Sequence, residues 1–192
     1  MSASLNAGAL NLSEQVIHDA VVAWLGSVAP AGMPIIRAQV NRVPTPDGDY
    51  IAITPITRKR MGFNLTNYQD QGAAGGAQFI SDPTEYRLQV DAYGAQSQEI
   101  AQAVAMLWRH EGACTFFADY VIPGQSQPSL SLAPLYAGEP KQLPFLDGQD
   151  AWLWRWSVDL LMQVNFTLTL TQQFADALKS EIVSVDAVYP PS

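Results

Sequence analysis

Apolar residues recur along this chain at two spacings, and the spacings divide it into helical and extended segments. Val16, Ile17, Ala20, Val21, Trp24, Leu25 and Val28 fall on one side of a 3.6-residue helix. Ser13 is placed to cap that helix, and Pro30 and Gly32 to end it. A second helix follows Gly94, with Ile100, Ala101, Val104, Ala105, Leu107 and Trp108 inward and Gly112 closing it. Residues 172–179 predict a short third helix that turns Phe174, Ala177 and Leu178 inward. Strands are expected over residues 35–41 and 49–56, joined by a turn rich in Pro, Asp and Gly at 43–48. Residues 85–93 alternate cleanly, with Tyr86, Leu88, Val90 and Ala92 on one face. Residues 115–122 and 180–188 are further strand candidates. Residues 64–83, which hold Gly72, Gly75 and Gly76, read as an extended, mobile loop. Residues 123–148 contain five prolines and read as an edge arm or a binding loop.

Residues 152–171 carry the strongest pattern. Every even position from Trp152 to Leu170 is apolar, and the odd positions are polar except Leu153 and Leu161. A straight strand of that length spans about 65 Å, about twice the width of a globule of this mass. The strand must therefore bend through a bulge or project beyond the globule. A projecting apolar stripe needs a partner to cover it, so the pattern alone predicts obligate assembly. Together the elements predict an α+β fold in one domain over residues 1–192. Its mainly antiparallel, mixed sheet is packed by two longer helices and one short helix, with a long β-hairpin or arm used in oligomerisation.

Composition then narrows the function. Ten basic residues against eighteen acidic ones give a net charge of −8, which does not suit a protein that neutralises nucleic-acid phosphates. One cysteine, Cys114, excludes an internal disulfide and a multi-cysteine zinc site. No run approaches the roughly 18 consecutive apolar residues of a membrane helix, and residues 1–12 lack the parts of a signal peptide. A soluble protein made in a reducing cytoplasm is expected.

Candidate chemistry is sparse. His110 and Cys114 lie four apart, as a nucleophile and base could. The plainer reading puts His110 at a helix end and Cys114 as a small buried residue entering a strand. His18 is expected to face solvent. Gly124-Gln125-Ser126-Gln127-Pro128 lacks the second glycine of a nucleophile elbow. The glycines at 72–76 lack the Lys-Ser/Thr of a phosphate loop. Asp47-Gly48-Asp49 and residues 147–150 fit turns better than calcium loops. Two features point to contacts instead. Arg58-Lys59-Arg60, three of the ten basic residues, are read as a solvated hairpin tip beyond a strand end, or as an electrostatic contact with an acidic subunit or DNA. Trp152, Trp154 and Trp156 share one face and are read as core or subunit-interface anchors.

In order, the chain carries a helix ending Ala23-Trp24-Leu25, then Ile36-Arg37-Ala38-Gln39-Val40-Asn41 leading into Asp49-Tyr50-Ile51-Ala52-Ile53. Tyr86-Arg87-Leu88-Gln89-Val90-Asp91-Ala92-Tyr93-Gly94 then runs into a helix, and a late strand opens Trp152-Leu153-Trp154-Arg155-Trp156. This order resembles the neck or tail-terminator proteins of tailed bacteriophages. The resemblance implies an α+β subunit of a ring, usually hexameric, at the head-proximal end of the tail. Such a ring ends tail-tube polymerisation and joins the tail to the head connector or collar proteins, while double-stranded genomic DNA passes through its lumen without specific binding. The tail-tube protein and the sheath are further implied partners. The resemblance implies a virion protein assembled in the host cytoplasm, with no catalysis, cofactor, metal or membrane contact. Tail-tube or connector-completion proteins share these features, and a small-ligand or hydrolytic domain near His110 and Cys114 is the reading from another class.

Overall fold

Three long strands carry the architecture, and the remaining elements pack on or beside them. The computed structural model describes residues 7–39, 44, 46–70, 75–146 and 152–172. Apart from Gln172, the expected short helix at 172–179 and strand at 180–188 lie outside these residues. In chain order the elements are β1 (Ala7–Leu10), α1 (Glu14–Val28), β2 (Ile35–Arg37), β3 (Tyr50–Arg60), β4 (Leu65–Asp70) and β5 (Gly76–Tyr93). They continue with α2 (Ser97–Trp108), α3 (Glu111–Asp119), β6 (Leu132–Ala137), β7 (Lys141–Gln142), β8 (Phe145–Leu146), β9 (Trp152–Leu153) and β10 (Arg155–Gln172).

β5 and β10 pair antiparallel in unbroken register, from Tyr93 opposite Arg155 to Gly76 opposite Gln172. Each is 18 residues long, so the ladder is about 60 Å from end to end. The predicted long strand is present but breaks at Trp154, and it meets the length problem without a bulge against β5. β3 and β4 lie end to end along the other side of β5, opposite Tyr93–Thr84 and Ser81–Gly76. Pro83 sits opposite the gap between them. It has no N–H to give a ladder, and its carbonyl accepts the Met61 N–H at 2.9 Å. β1, β6 and β7 line the far side of β10, and β2 adds to β3.

The fold is α+β with a mixed, mostly antiparallel sheet, as the periodicities predict; of the three helices among the described residues, α1 and α2 are the expected ones and α3 is not. Several local expectations fail. Residues 64–83 are not an extended loop: they hold β4 and the first half of β5. β2 is only three residues long and pairs parallel with β3. Residues 115–122 are not a strand. Thr115, Phe116 and Phe117 favour strands by side-chain type, but α3 buries Ala113 and Phe117 at i and i+4. Residues 123–146 include β6, β7 and β8, of which β6 and β7 lie along an edge of β10, as an edge arm would.

The core lies between the helices and the half of the ladder nearest Tyr93. Tyr86, Leu88 and Val90 of β5 and Val158, Leu160, Met162 and Val164 of β10 are buried there. Trp108 meets Trp24 edge-on at 4.9 Å and Phe117 at 5.5 Å. Its indole N–H donates to the Leu161 carbonyl at 3.0 Å, which satisfies the one polar atom that burial would otherwise strand. The turn from β5 into α2 depends on Gly94, whose φ is +100°. A β-carbon there would collide with the Asp49 carboxylate, which accepts the Ala95 and Gln96 N–H groups at 3.1 and 3.3 Å. Asp49 is thus spent on the turn at Gly94, far from it in sequence, and not on a turn of its own segment.

Candidate assembly surfaces

At the Tyr93 end, the sheet face turned away from the helices is closed by the β8–β9 hairpin. Phe145 and Leu153 pack on Tyr50, Ala52 and Tyr93. Tyr50 and Tyr93 stack at 4.4 Å, and Phe145 meets Tyr93 edge-on at 5.3 Å. Beneath them Arg155 donates to Asp91 at 3.0 Å and lies over the Tyr93 ring. Asp91 is only 3% exposed and also accepts from Gln89. Burial, reinforced by the Asp91 charge, pushes the Tyr93 hydroxyl up to about 12. The tryptophans separate: Trp156 is half-buried in β10, whereas Trp152 and Trp154 are exposed, at 72% and 60%. They are not core. With Leu143 and Pro144 they line an open cleft of about 450 Å³.

Arg58, Lys59 and Arg60 are not beyond a strand end. They are the last three residues of β3, opposite Tyr86, Glu85 and Thr84. Alternation turns Arg58 toward the helices. Its guanidinium lies 5.1 Å from the Tyr86 ring centre and 5.2 Å from that of Phe166. It also pairs with Glu14 at 3.1 Å, and Glu14, in the first turn of α1, pairs with Arg37 of β2. Arg60 pairs with Asp82 at 3.3 Å. Two of the three cations are therefore committed to this chain's own packing.

Beyond Thr84 the ladder continues as a blade of four strands in the order β4-β5-β10-β1. Every residue of β4 is exposed. On the helix-facing side a groove of about 480 Å³ runs between Leu10, Ile80, Phe166 and Leu168, with Arg58 and Arg60 at its margin. Leu10 is 51% exposed. The groove is mixed in character, its four apolar side chains standing beside Arg58, Arg60, Asn64, Asp82 and Thr84.

A family model described as phage neck terminator protein matches residues 15–186. The chain belongs to that family. A neck terminator is a structural part of a phage, placed in the virion at the neck, where it meets other proteins of the tail and head. Among curated proteins none matches this chain. A solved structure is similar over 86% of this chain and 100% of its own, at 13% identity and a TM-score of 0.33, too low to add to the family assignment.

The remaining sequence candidates of this neck terminator fall apart as chemistry. His110 does not end α2: it caps α3, its Nδ1 accepting the Gly112 N–H at 3.0 Å. Cys114 is exposed on α3 and neither buried nor in a strand. His18 is buried at 9% exposure rather than solvent-facing, because it stands three and seven residues before Val21 and Leu25 on the broad inner face of α1. Among the described residues no helix is long and apolar enough to cross a membrane. Sequence reading missed the β4–β5 pairing, although Leu65–Asp70 followed by a glycine-rich link is a hairpin signal once Pro83 is allowed inside a strand.

Proposed function

We propose that the chain forms a closed ring, of six copies as in related terminators, at the head-proximal end of the tail. The ring halts tail-tube growth and presents its other side to the head connector, while DNA passes through the lumen. The observation that carries this reading is the blade: β5 and β10 hold 18 paired residues, and the half beyond the core leaves a groove in which Leu10, Ile80 and Leu168 stand beside charged and polar side chains. A half-exposed leucine beside paired charges is the kind of surface a protein contact covers.

The face away from the helices suits a lumen. Past the β8–β9 hairpin it mixes charges of both signs, with Arg87 near Asp159 at 4.0 Å beside the amides of Gln163 and Asn165. In an acidic chain such a face offers DNA no net grip. Trp152 and Trp154 act as anchors of a contact with a neighbouring subunit or neck protein, and Lys59 with the outer sides of Arg58 and Arg60 supplies charge at a subunit margin. The test is arrest of tube growth. Added to polymerising tail-tube protein, the chain should cap tubes at a ratio of one ring per end. Tubes that grow on at unchanged length in a large excess of the chain would refute the reading.

A further inference from the structure

Sheets end in strands whose outer N–H and C=O groups can recruit another strand, and proteins guard such edges with charge, proline or bulges. In this chain the guards are unevenly placed. Where β3 borders the sheet it carries Pro55, a register break and Arg58-Lys59-Arg60. On the opposite border β6 carries Pro134 and a register break, and β7 carries Lys141. The blade edges carry neither proline nor cation, and of the two only β1 has a register break, between Ala7 and Leu10. β4 reads Leu-Thr-Asn-Tyr-Gln-Asp and β1 reads Ala-Gly-Ala-Leu, with no proline and no cation. Among the described strands β4 pairs with β5 alone and β1 with β10 alone.

The two edges of the blade also match. β4 is antiparallel to β5, β5 to β10, and β10 to β1. Four alternating strands leave β4 and β1 running in opposite directions, so β1 of one copy set beside β4 of another extends the antiparallel order. The edges stand at one height on the ladder: Thr66 faces Ile80, Ile80 faces Leu168, and Leu168 faces Leu10. A contact between two different surfaces of identical copies generates a ring when its rotation closes.

We propose that β4 of each subunit pairs antiparallel with β1 of the next, so that the blades join into one continuous sheet around the ring. The inference rests on the ring reading above and specifies its contact. It gives Arg58-Lys59-Arg60 a second role, to keep the border next to β4 from pairing out of register. The partner is a second copy of this chain because each edge finds its complement, in direction and height, on the same molecule.

Cysteine cross-linking tests the pairing. In a Cys114→Ser background, Asn67→Cys is combined in turn with cysteines at positions 7, 8, 9 and 10, and single-cysteine proteins are mixed pairwise. At least one mixed pair should give a disulfide-linked dimer that neither protein forms alone, and the matching double-cysteine protein should give a ladder ending at the ring's copy number. Thr66→Lys with Asn67→Lys should weaken assembly at least tenfold without lowering the subunit's Tm. Intact rings that cross-link at none of the four positions would overturn the pairing and leave the ring standing. Dimers formed by Asn67→Cys alone would replace it with a two-fold contact. A chain that stays monomeric even on tail tubes would remove the ring and the pairing together.

Discussion

Arg58 offers the sharpest separation of packing from assembly. Replacing it with Gln removes a guanidinium stacked against Tyr86 and Phe166 and its pair with Glu14. Each cation–π contact at a partly exposed site contributes about 0.5–1 kcal/mol, and an ion pair as exposed as this one about 0.2–1 kcal/mol. The loss is about 2 kcal/mol, which for a chain of this size lowers Tm by about 4–8 °C. Lys59, one residue on, lies on the other face with neither ring beneath it. Lys59→Gln should stay within about 0.5 kcal/mol. Arg58→Lys keeps the charge but loses the planar stack and should fall between the two. Thermal unfolding by circular dichroism, at one fixed protein concentration because assembly shifts Tm, reads all three. Equal Tm values for Arg58→Gln and Lys59→Gln would refute the assignment of Arg58 to the subunit's own packing. It also follows that replacing all three cations at once cannot leave subunit stability untouched.

Three further outcomes follow from the core and the polar face. Trp108→Phe keeps the ring packing on Trp24 but abandons the Leu161 carbonyl, and should cost about 1–3 kcal/mol in denaturant unfolding. Arg155→Met leaves Asp91 buried and unpaired and should cost about 3–5 kcal/mol, whereas Arg155→Met with Asp91→Leu should recover most of it in a double-mutant cycle. The Tyr93 hydroxyl keeps its proton to about pH 12 in the folded chain and loses it near 10 when unfolded. Its contribution is therefore full below pH 10 and is lost as pH rises toward 12, by up to about 1.4 kcal/mol per pH unit. Tyr93→Phe should flatten that alkaline decline, as read from unfolding curves between pH 9 and 12.

The sequence announced its longest features and concealed its smaller ones for physical reasons. β10 and the near half of β5 were legible because one buried face enforces a period of two over many residues. The far half of β5 was not, because Ser81, Asp82 and Pro83 break the alternation and the blade buries too little to impose it. α3 hid behind strand-favouring side chains, and its signal was a cap, His110 with Glu111 in the first turn, rather than a period. The tryptophan stripe predicted burial but could not show that the strand breaks at Trp154, which leaves two rings in solvent. The basic run was visible as charge, while its stacking on Tyr86 and Phe166 depended on a register between β3, β5 and β10 that no local pattern contains.

The central claim is that this neck terminator works as a closed ring. Mass photometry of the purified chain, alone and bound to isolated tail tubes, tests it most directly. The account predicts one discrete mass at a fixed multiple of 20.9 kDa, present at least on the tube ends, with no larger series above it. A single-subunit mass under both conditions, or an open-ended ladder of masses, would contradict it.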